Sequence, residues 1–327
     1  MKQIRFTSFG QPSAVAKCVE VPDVGPPSAW EVIVEVEAFP INPADLAMLS
    51  GRYGKLPKLP ATIGMEAVGR VAICGTAVKD LAVGDRVVIL ANNNWAERRK
   101  VPIAAVHKVP CDGDVTQYAM MKVNPATAYM LLNRFQQLSE NDWIIQTAPL
   151  SSVGQCVMQI AKAMKLRTIN VVRRADTKPE VVSLGGDLAI EDGPDLAQRV
   201  RTAIGHHPLR LALDAVAGAG VQRLAECLSE GGQIINYGML STEHCLLSPE
   251  QSIFRGISLV GFWLSNILNR LTLPERTSLY SAISDLIGTN QLKMAIDSQF
   301  SLHDIAEALR RAEQGGRSGK VIVSVAR

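Results

Sequence analysis

Residues 143–174 read WIIQTAPLSSVGQCVMQIAKAMKLRTINVVRR. A short apolar run, Trp143–Ala148, meets a turn of small residues, Ala148-Pro149-Leu150-Ser151-Ser152-Val153-Gly154. Helical apolar spacing then carries to Lys165, and a second apolar run ends in Arg173-Arg174. Strand, turn, helix and strand in that order make one βαβ unit. Small residues let backbone N–H groups approach a pyrophosphate, and the following helix N-terminus adds positive dipole. Gly154 would permit close packing of helix on strand. The turn alone also reads as a plain βα connection, since Ser151 and Ser152 stand where glycines are usual. The second strand end is more telling. A carboxylate there would suit the ribose 2′-hydroxyl of NAD. Arg173 and Arg174 suit a 2′-phosphate, which a guanidinium can grip with two bonds. The pair points to NADPH, with two solvated arginines as the plain alternative.

Working outward, the alternation continues downstream through LRLALDAV (209–216), GVQRLAECLSE (220–230), GQIINYG (232–238) and SLVGFW (258–263). Strands and helices joined by short connections predict a doubly wound parallel sheet. Upstream the pattern changes. EVIVEVEA (31–38) alternates like a half-buried strand, and AVGRVAICG (67–75) and GDRVVIL (84–90) repeat the signal. These predict a mostly antiparallel β domain. Residues 116–135 have helical spacing and lead into the parallel part. Helices are expected near 274–288 and 301–314, the latter capped by Ser301, and KVIVSV (320–325) forms a last strand.

The bulk numbers exclude several classes. At 327 residues with 47% hydrophobic and 20% charged residues, the chain has material for two domains with real cores. A net charge of +3 implies neither nucleic acid nor an anionic membrane as partner. The start, MKQIRFTSFG, is not a signal or transit sequence, so the cytoplasm is the expected compartment. Cys18, Cys74, Cys111, Cys156, Cys227 and Cys245 are scattered without a C-x-x-C, which disfavours disulfides and a zinc ribbon. His206-His207 read as a polar loop, and no metal site is expected.

One loop carries a candidate catalyst. Tyr53 stands between Gly51 and Gly54, with Pro57 and Pro60 restricting the exit. A phenol, ordinarily titrating near 10, can donate a hydrogen bond or a proton at neutral pH. A packing tyrosine is the plain alternative. Asn42 and Asp45, in INPAD, fit a helix cap as well as a site for nicotinamide or its ribose. Glu66 reads as structural. Lys320 fits a cofactor phosphate or a solvated position equally.

Taken together, these residues resemble the medium-chain dehydrogenase/reductase superfamily over nearly the whole chain. Its zinc members carry Gly-His-Glu where this sequence has Gly64-Met65-Glu66, and methionine does not replace an imidazole on zinc. The resemblance is therefore to the zinc-independent branch. INPADLAMLSGRYGKLPKLPATIGMEAVG (41–69), VNPATAYMLLNRFQQL (123–138), NYGML (236–240) and GFWLS (261–265) are similar to the 2-enoyl thioester reductases of fatty acid metabolism. That resemblance implies an α/β protein with two domains. A β-rich GroES-like catalytic domain would cover 1–117 and 265–327, and a Rossmann NADPH-binding domain 118–264. It implies Tyr53 as the catalytic residue. It implies cofactor contacts from Asn42, Asn124, Ser151, Ser152, Val153, Gly154, Arg173, Arg174, Tyr237, Gly238, Met239, Leu240, Phe262, Trp263, Leu264 and Lys320. Phe262-Trp263-Leu264 are expected to be buried. It also implies a homodimer formed through the last strand of the nucleotide domain.

The expected activity is reduction of the trans-2 double bond of an enoyl-CoA or enoyl-ACP thioester, with hydride to the β-carbon and a proton from Tyr53. An NADPH quinone or enone oxidoreductase shares the fold and cofactor. A non-catalytic NADPH-binding protein is the reading from another class.

Overall fold

The structure, a computed structural model, describes residues 1–325. Residues 326 and 327, which the expected catalytic domain includes, lie outside the described residues. The chain divides into two units, Met1–Val123 with Thr272–Arg327, and Asn124–Leu271. The first division falls after Val123 rather than at residue 117, because Lys122 and Val123 bond to Met65 and Glu66 of the first unit.

The first unit begins with β1 (Lys2–Phe6), β2 (Lys17–Glu20), β3 (Glu31–Pro40), β4 (Ala61–Thr62), β5 (Ala67–Cys74), β6 (Arg86–Ile89), β7 (Arg98–Pro102) and β8 (Val106–Val109). β2, β1 and β4 make a small antiparallel sheet. β3, the longest strand, pairs antiparallel with β5 and β7, and the ladder continues from β5 through β6 to β8. Alternation in EVIVEVEA puts Val32, Val34 and Val36 into the core. Each such side chain contributes roughly 1.5–3 kcal/mol on full burial. Phe39 stacks on the fully buried Trp95, with ring centroids 5.3 Å apart.

The second unit holds β9 (Trp143–Thr147), β10 (Arg167–Val172), β11 (Leu188–Glu191), β12 (Leu209–Asp214), β13 (Gln233–Asn236) and β14 (Ser258–Gly261). All pair in parallel, in the order β11-β10-β9-β12-β13-β14. The order reverses between β9 and β12, and in such sheets ligands bind beyond the carboxyl ends of the strands at that reversal. Leu209, Leu211, Ala212 and Leu213 are all buried because helices cover both faces.

The chain then returns to the first unit. β15 (Ile296–Ser301) and β16 (Lys320–Ser324) pair in parallel, and β16 joins β3 to complete the larger sheet. The protein is thus α/β, with a GroES-like β-rich unit and a Rossmann parallel-sheet unit. Among the described residues no helix is long and apolar enough to cross a membrane.

Three local expectations are corrected. The helical run 116–135 is two helices, Val115–Ala119 and Asn124–Asn133. Pro125 lacks an N–H and fits only a first turn, so the second helix must start afresh beside it. The helix predicted over 301–314 spans Ile305–Glu313, preceded by a 3₁₀ turn. The Ser301 hydroxyl bonds the Asp304 carboxylate at 2.7 Å instead of capping that helix. Strands β1, β2, β4, β7, β8, β11 and β15 were not individually expected; β15 is a half-exposed, polar edge that shows no apolar alternation.

Candidate functional site

In the second unit, strand β9 ends in a turn whose geometry is forced. Ala148 takes φ +48. A Cβ on Gly154 would lie 2.6 Å from the Ala148 carbonyl oxygen and 2.7 Å from Pro149 Cα, so only glycine fits. Ser151 caps the helix Ser152–Ala163, its hydroxyl accepting from Gly154 N at 3.2 Å. The first N–H groups of a helix have no partner within it, and Ser152 and Val153 carry the first two of this one. Gln146 Nε2 donates to Gly154 O (3.1 Å) and to Asn170 Oδ1 (2.7 Å), fixing the turn to the interior.

The neighbouring strand ends are tied by a network that sequence reading missed. Thr147 Oγ1 donates to Asp214 Oδ1 at 2.9 Å and accepts from Ala215 N at 2.9 Å. Asp214 accepts from Val216 N, Ala217 N and Asn236 Nδ2 at 2.8–3.1 Å. Asn236 Nδ2 also reaches Gly238 O at 2.9 Å, shaping the segment Tyr237–Leu240. Asp214 and Thr147 are buried. Their available signal was a single polar residue closing an otherwise apolar strand. Burial, then the Asp214 charge, pushes the Tyr237 phenol up.

The remaining predicted residues of this unit are placed as follows. Arg173 and Arg174 are exposed just past the end of β10, and Arg174 Nε pairs with Asp176 at 3.3 Å. Met239 and Leu240 are exposed; Asn124 is buried at the start of its helix. Phe262 is buried edge-on against Phe135. Trp263 departs from the expected burial: it is 42% exposed, because it stands outside β14 as the N-cap of the helix Leu264–Leu268.

In the first unit, Tyr53 is half-buried in a run of bends. At the two ends of that loop's chain lies a buried polar cluster. Asp45 accepts from Asn42 N at 2.9 Å and from Met65 N at 3.1 Å. Asn42 Nδ2 donates to Glu66 Oε1 at 2.8 Å, and Val123 N to Glu66 Oε2 at 2.9 Å. Lys320 Nζ donates to Asn42 Oδ1 at 2.5 Å. Lys122 Nζ donates to Asn92 Oδ1 (2.8 Å), Ala91 O (3.1 Å) and Met65 O. Tyr280 donates to Lys122 O at 3.3 Å. Asp45 and Glu66 are 0% exposed, Asn42 1% and Lys320 3%.

The structure thus brings Asn42 and Lys320 together, far as they are in sequence, and a solvated Lys320 is ruled out. Desolvation governs the titration here. It pushes Asp45 up to about 7 against the bonds to Asn42 and Met65. It raises Glu66 in the same way, and lowers Lys122 to about 8. Lys122 was missed, hidden in an apolar helical run. Among the described residues no three His, Cys, Asp or Glu side chains gather as a metal-holding cluster.

Comparison with known proteins gives two family matches. The alcohol dehydrogenase GroES-like domain matches residues 28–127, and the zinc-binding dehydrogenase domain residues 152–282. The chain is 34% identical over 333 residues to the mitochondrial enoyl-[acyl-carrier-protein] reductase of Dictyostelium discoideum, covering 99% of this chain and 95% of that one. The human enzyme of the same name is 35% identical, with 99% and 89% covered. Among solved structures, a candidate NADPH:quinone reductase from Bacillus thuringiensis superposes with a TM-score of 0.91 at 26% identity, over 99% of both chains. A complex of Etr1p with NADP and crotonyl-CoA superposes at 0.88 with 23% identity, over 99% of both chains, which shows a common fold.

Proposed function

Because this chain belongs to the enoyl-[acyl-carrier-protein] reductase family of medium-chain dehydrogenase/reductases, we propose that it reduces the trans-2 double bond of enoyl thioesters, using NADPH and a proton from Tyr53. The observation that carries the reading is this full-length relation, joined to an arginine pair at the one strand end where the ribose is met.

The second unit fits the nucleotide. Only a glycine-sized residue at 154 leaves the backbone of the turn close enough to a pyrophosphate, and the N–H groups of Ser152 and Val153 supply donors there. Arg173 and Arg174 hold a 2′-phosphate. Tyr237–Leu240 and Phe262–Leu264 contribute walls. NADPH, when bound, supplies the hydride for the β-carbon of the substrate. Negative charge then grows on the thioester oxygen and α-carbon. Tyr53 meets that charge, first as a hydrogen-bond donor and then as the source of the α-proton. Asn42 and Lys320 act from the interior, where Lys320 bonds Asn42 and Asn42 bonds Glu66. Met65 is a thioether where an imidazole ligand would be needed, so the reaction proceeds without zinc, and chelators leave the rate unchanged.

Steady-state turnover of crotonyl-CoA and of a simple quinone with NADPH tests this. Thioester turnover well above quinone turnover is expected. Quinone turnover without thioester turnover would move the chain to the quinone reductases. NADPH binding with neither would make it non-catalytic.

The same reading includes a homodimer. Among the described residues β14 is hydrogen-bonded on one side only; its Leu259 is 36% exposed, and Ile253 and Phe254, in the helical turn that precedes it in the chain, are 70% and 79% exposed. An open strand edge flanked by apolar side chains suits a second copy. Phe254→Asp should convert a dimer to a monomer in sedimentation equilibrium. A wild type that sediments as a monomer would remove this part of the proposal.

A further inference from the structure

The loop bearing Tyr53 leaves the helix Pro43–Leu49 and returns at Met65. Its outgoing arm is held as far as Arg52, whose N–H bonds Ala47 O at 2.8 Å. Its incoming arm is held by Trp95 N on Ile63 O (3.0 Å) and Asn94 N on Gly64 O (3.2 Å). Gly64, at φ +117, has no room for a Cβ beside Trp95. The incoming arm is also paired through β4 with Arg5 and Phe6 of β1, and between Arg52 and β4 Tyr53 and its neighbours form bends and irregular chain.

Two hydrogen bonds cross the base of this loop in opposite senses. Met65 N donates to Asp45 Oδ1 at 3.1 Å, and Asn42 Nδ2 donates to Glu66 Oε1 at 2.8 Å. Each side of the base therefore offers one carboxylate and receives one N–H donor. We propose that Asp45 and Glu66 are positioning residues for Tyr53, closing the base of its loop so that the phenol is presented in one place. The inference rests on the reading of Tyr53 as proton donor.

Stability alone does not explain the arrangement. Burying ionisable groups is costly, and well-packed apolar replacements of such groups are often neutral or stabilising. Two fully buried carboxylates, with Lys320 reaching them through Asn42 and Lys122 alongside, stand on the two chain segments that flank the Tyr53 loop. What such a network supplies is fixed geometry. A misplacement near 1 Å at a reacting group can cost about 100-fold in rate.

A double-mutant cycle separates positioning from general support. Crotonyl-CoA kinetics with NADPH are measured for wild type, D45N, E66Q, Y53F, D45N/Y53F and E66Q/Y53F. D45N and E66Q are each expected to lower kcat about 10-fold and leave KM for NADPH unchanged. In the Y53F background neither should lower kcat further. In parallel, native trypsin digestion reads the loop itself through its exposed Arg52, Lys55 and Lys58. Cleavage after these residues should quicken about 10-fold in both variants, while cleavage elsewhere keeps its rate.

Equal losses of kcat in both backgrounds would overturn the proposal, as would unchanged kcat and unchanged loop cleavage in folded D45N and E66Q. Failure of both variants to fold would also overturn it, by making the pair part of the core. Should Y53F keep wild-type kcat, the role given to Tyr53 falls. The digestion still decides whether Asp45 and Glu66 hold the loop: unchanged cleavage rejects that, and faster cleavage confined to the loop upholds it.

Discussion

The turn at residues 148–154 and the buried cluster at the ends of the Tyr53 loop solve similar problems by opposite means. Each holds a short stretch of chain in one geometry. The turn does so with backbone: a glycine without space for a Cβ, a left-handed alanine and a helix N-terminus, all within seven residues. The cluster does so with buried side chains from Asn42, Asp45, Glu66, Lys122 and Lys320, spread over most of the chain. A backbone device is insensitive to pH and fails only when the backbone is displaced. A buried ionic device is sensitive to charge, because its members were brought out of water at a cost.

The largest effect that should sharpen this contrast comes from the arginines beside the turn. Replacing both Arg173 and Arg174 by Ala should reduce the preference for NADPH over NADH about 100-fold, since each charge-assisted bond is worth roughly 1.5–3 kcal/mol, less where water competes. Nucleotide titration of the double variant checks this. An unchanged preference would remove the 2′-phosphate assignment.

Next comes Gly154→Ala. Its Cβ meets backbone atoms that can yield only by moving the turn, a strain of about 1–3 kcal/mol. Affinity for NADPH and NADH should fall together by about 10-fold, with kcat at saturating cofactor preserved. A selective loss for one nucleotide would mean that the turn and the arginine corner are not separate parts.

The smallest expected effect is on pH dependence. Asp45 titrates at about 7 in the fold against an ordinary 3.8, and Glu66 is also raised. Between those values the folded state holds more protons than the unfolded state. Their contribution is therefore fully present below about pH 4 and is lost as pH rises through 7. Lys122, lowered to about 8 from 10.5, acts the other way: stability recovers as pH climbs from 8 toward 10.5. Thermal melts from pH 5 to 7.5 should show Tm falling by a few degrees in the wild type and falling less in D45N. Parallel curves for the two would show that Asp45 does not carry the proton.

Much of the molecule was legible beforehand because its signals are local. The apolar runs ending at Thr147, Val172, Asp214 and Asn236 announce parallel strands by composition and spacing alone. Pro125 was equally local, yet its consequence was overlooked, and a single helix was read where there are two. Trp263 was misjudged for another reason: hydrophobicity does not say whether a residue past the last strand has anything to pack against. Lys122 looked like one polar residue in an apolar helix, and Glu66, read as structural, gave no sign of its partners.

The sequence by itself determined that this is a two-unit α/β protein, that residues 148–154 form a tight turn of small residues between strand and helix, and that Tyr53 is the phenol on a glycine-flanked loop. Those properties follow from residues within a few positions of each other, where steric and hydrogen-bonding preferences act without help. Only the tertiary structure decided that Lys320 bonds Asn42, that Glu66 meets Val123, and that Asp45 clasps Met65. Such contacts join residues 20 to 278 positions apart. No local periodicity encodes which polar groups will be shut away from water together, and only burial makes their pairing obligatory.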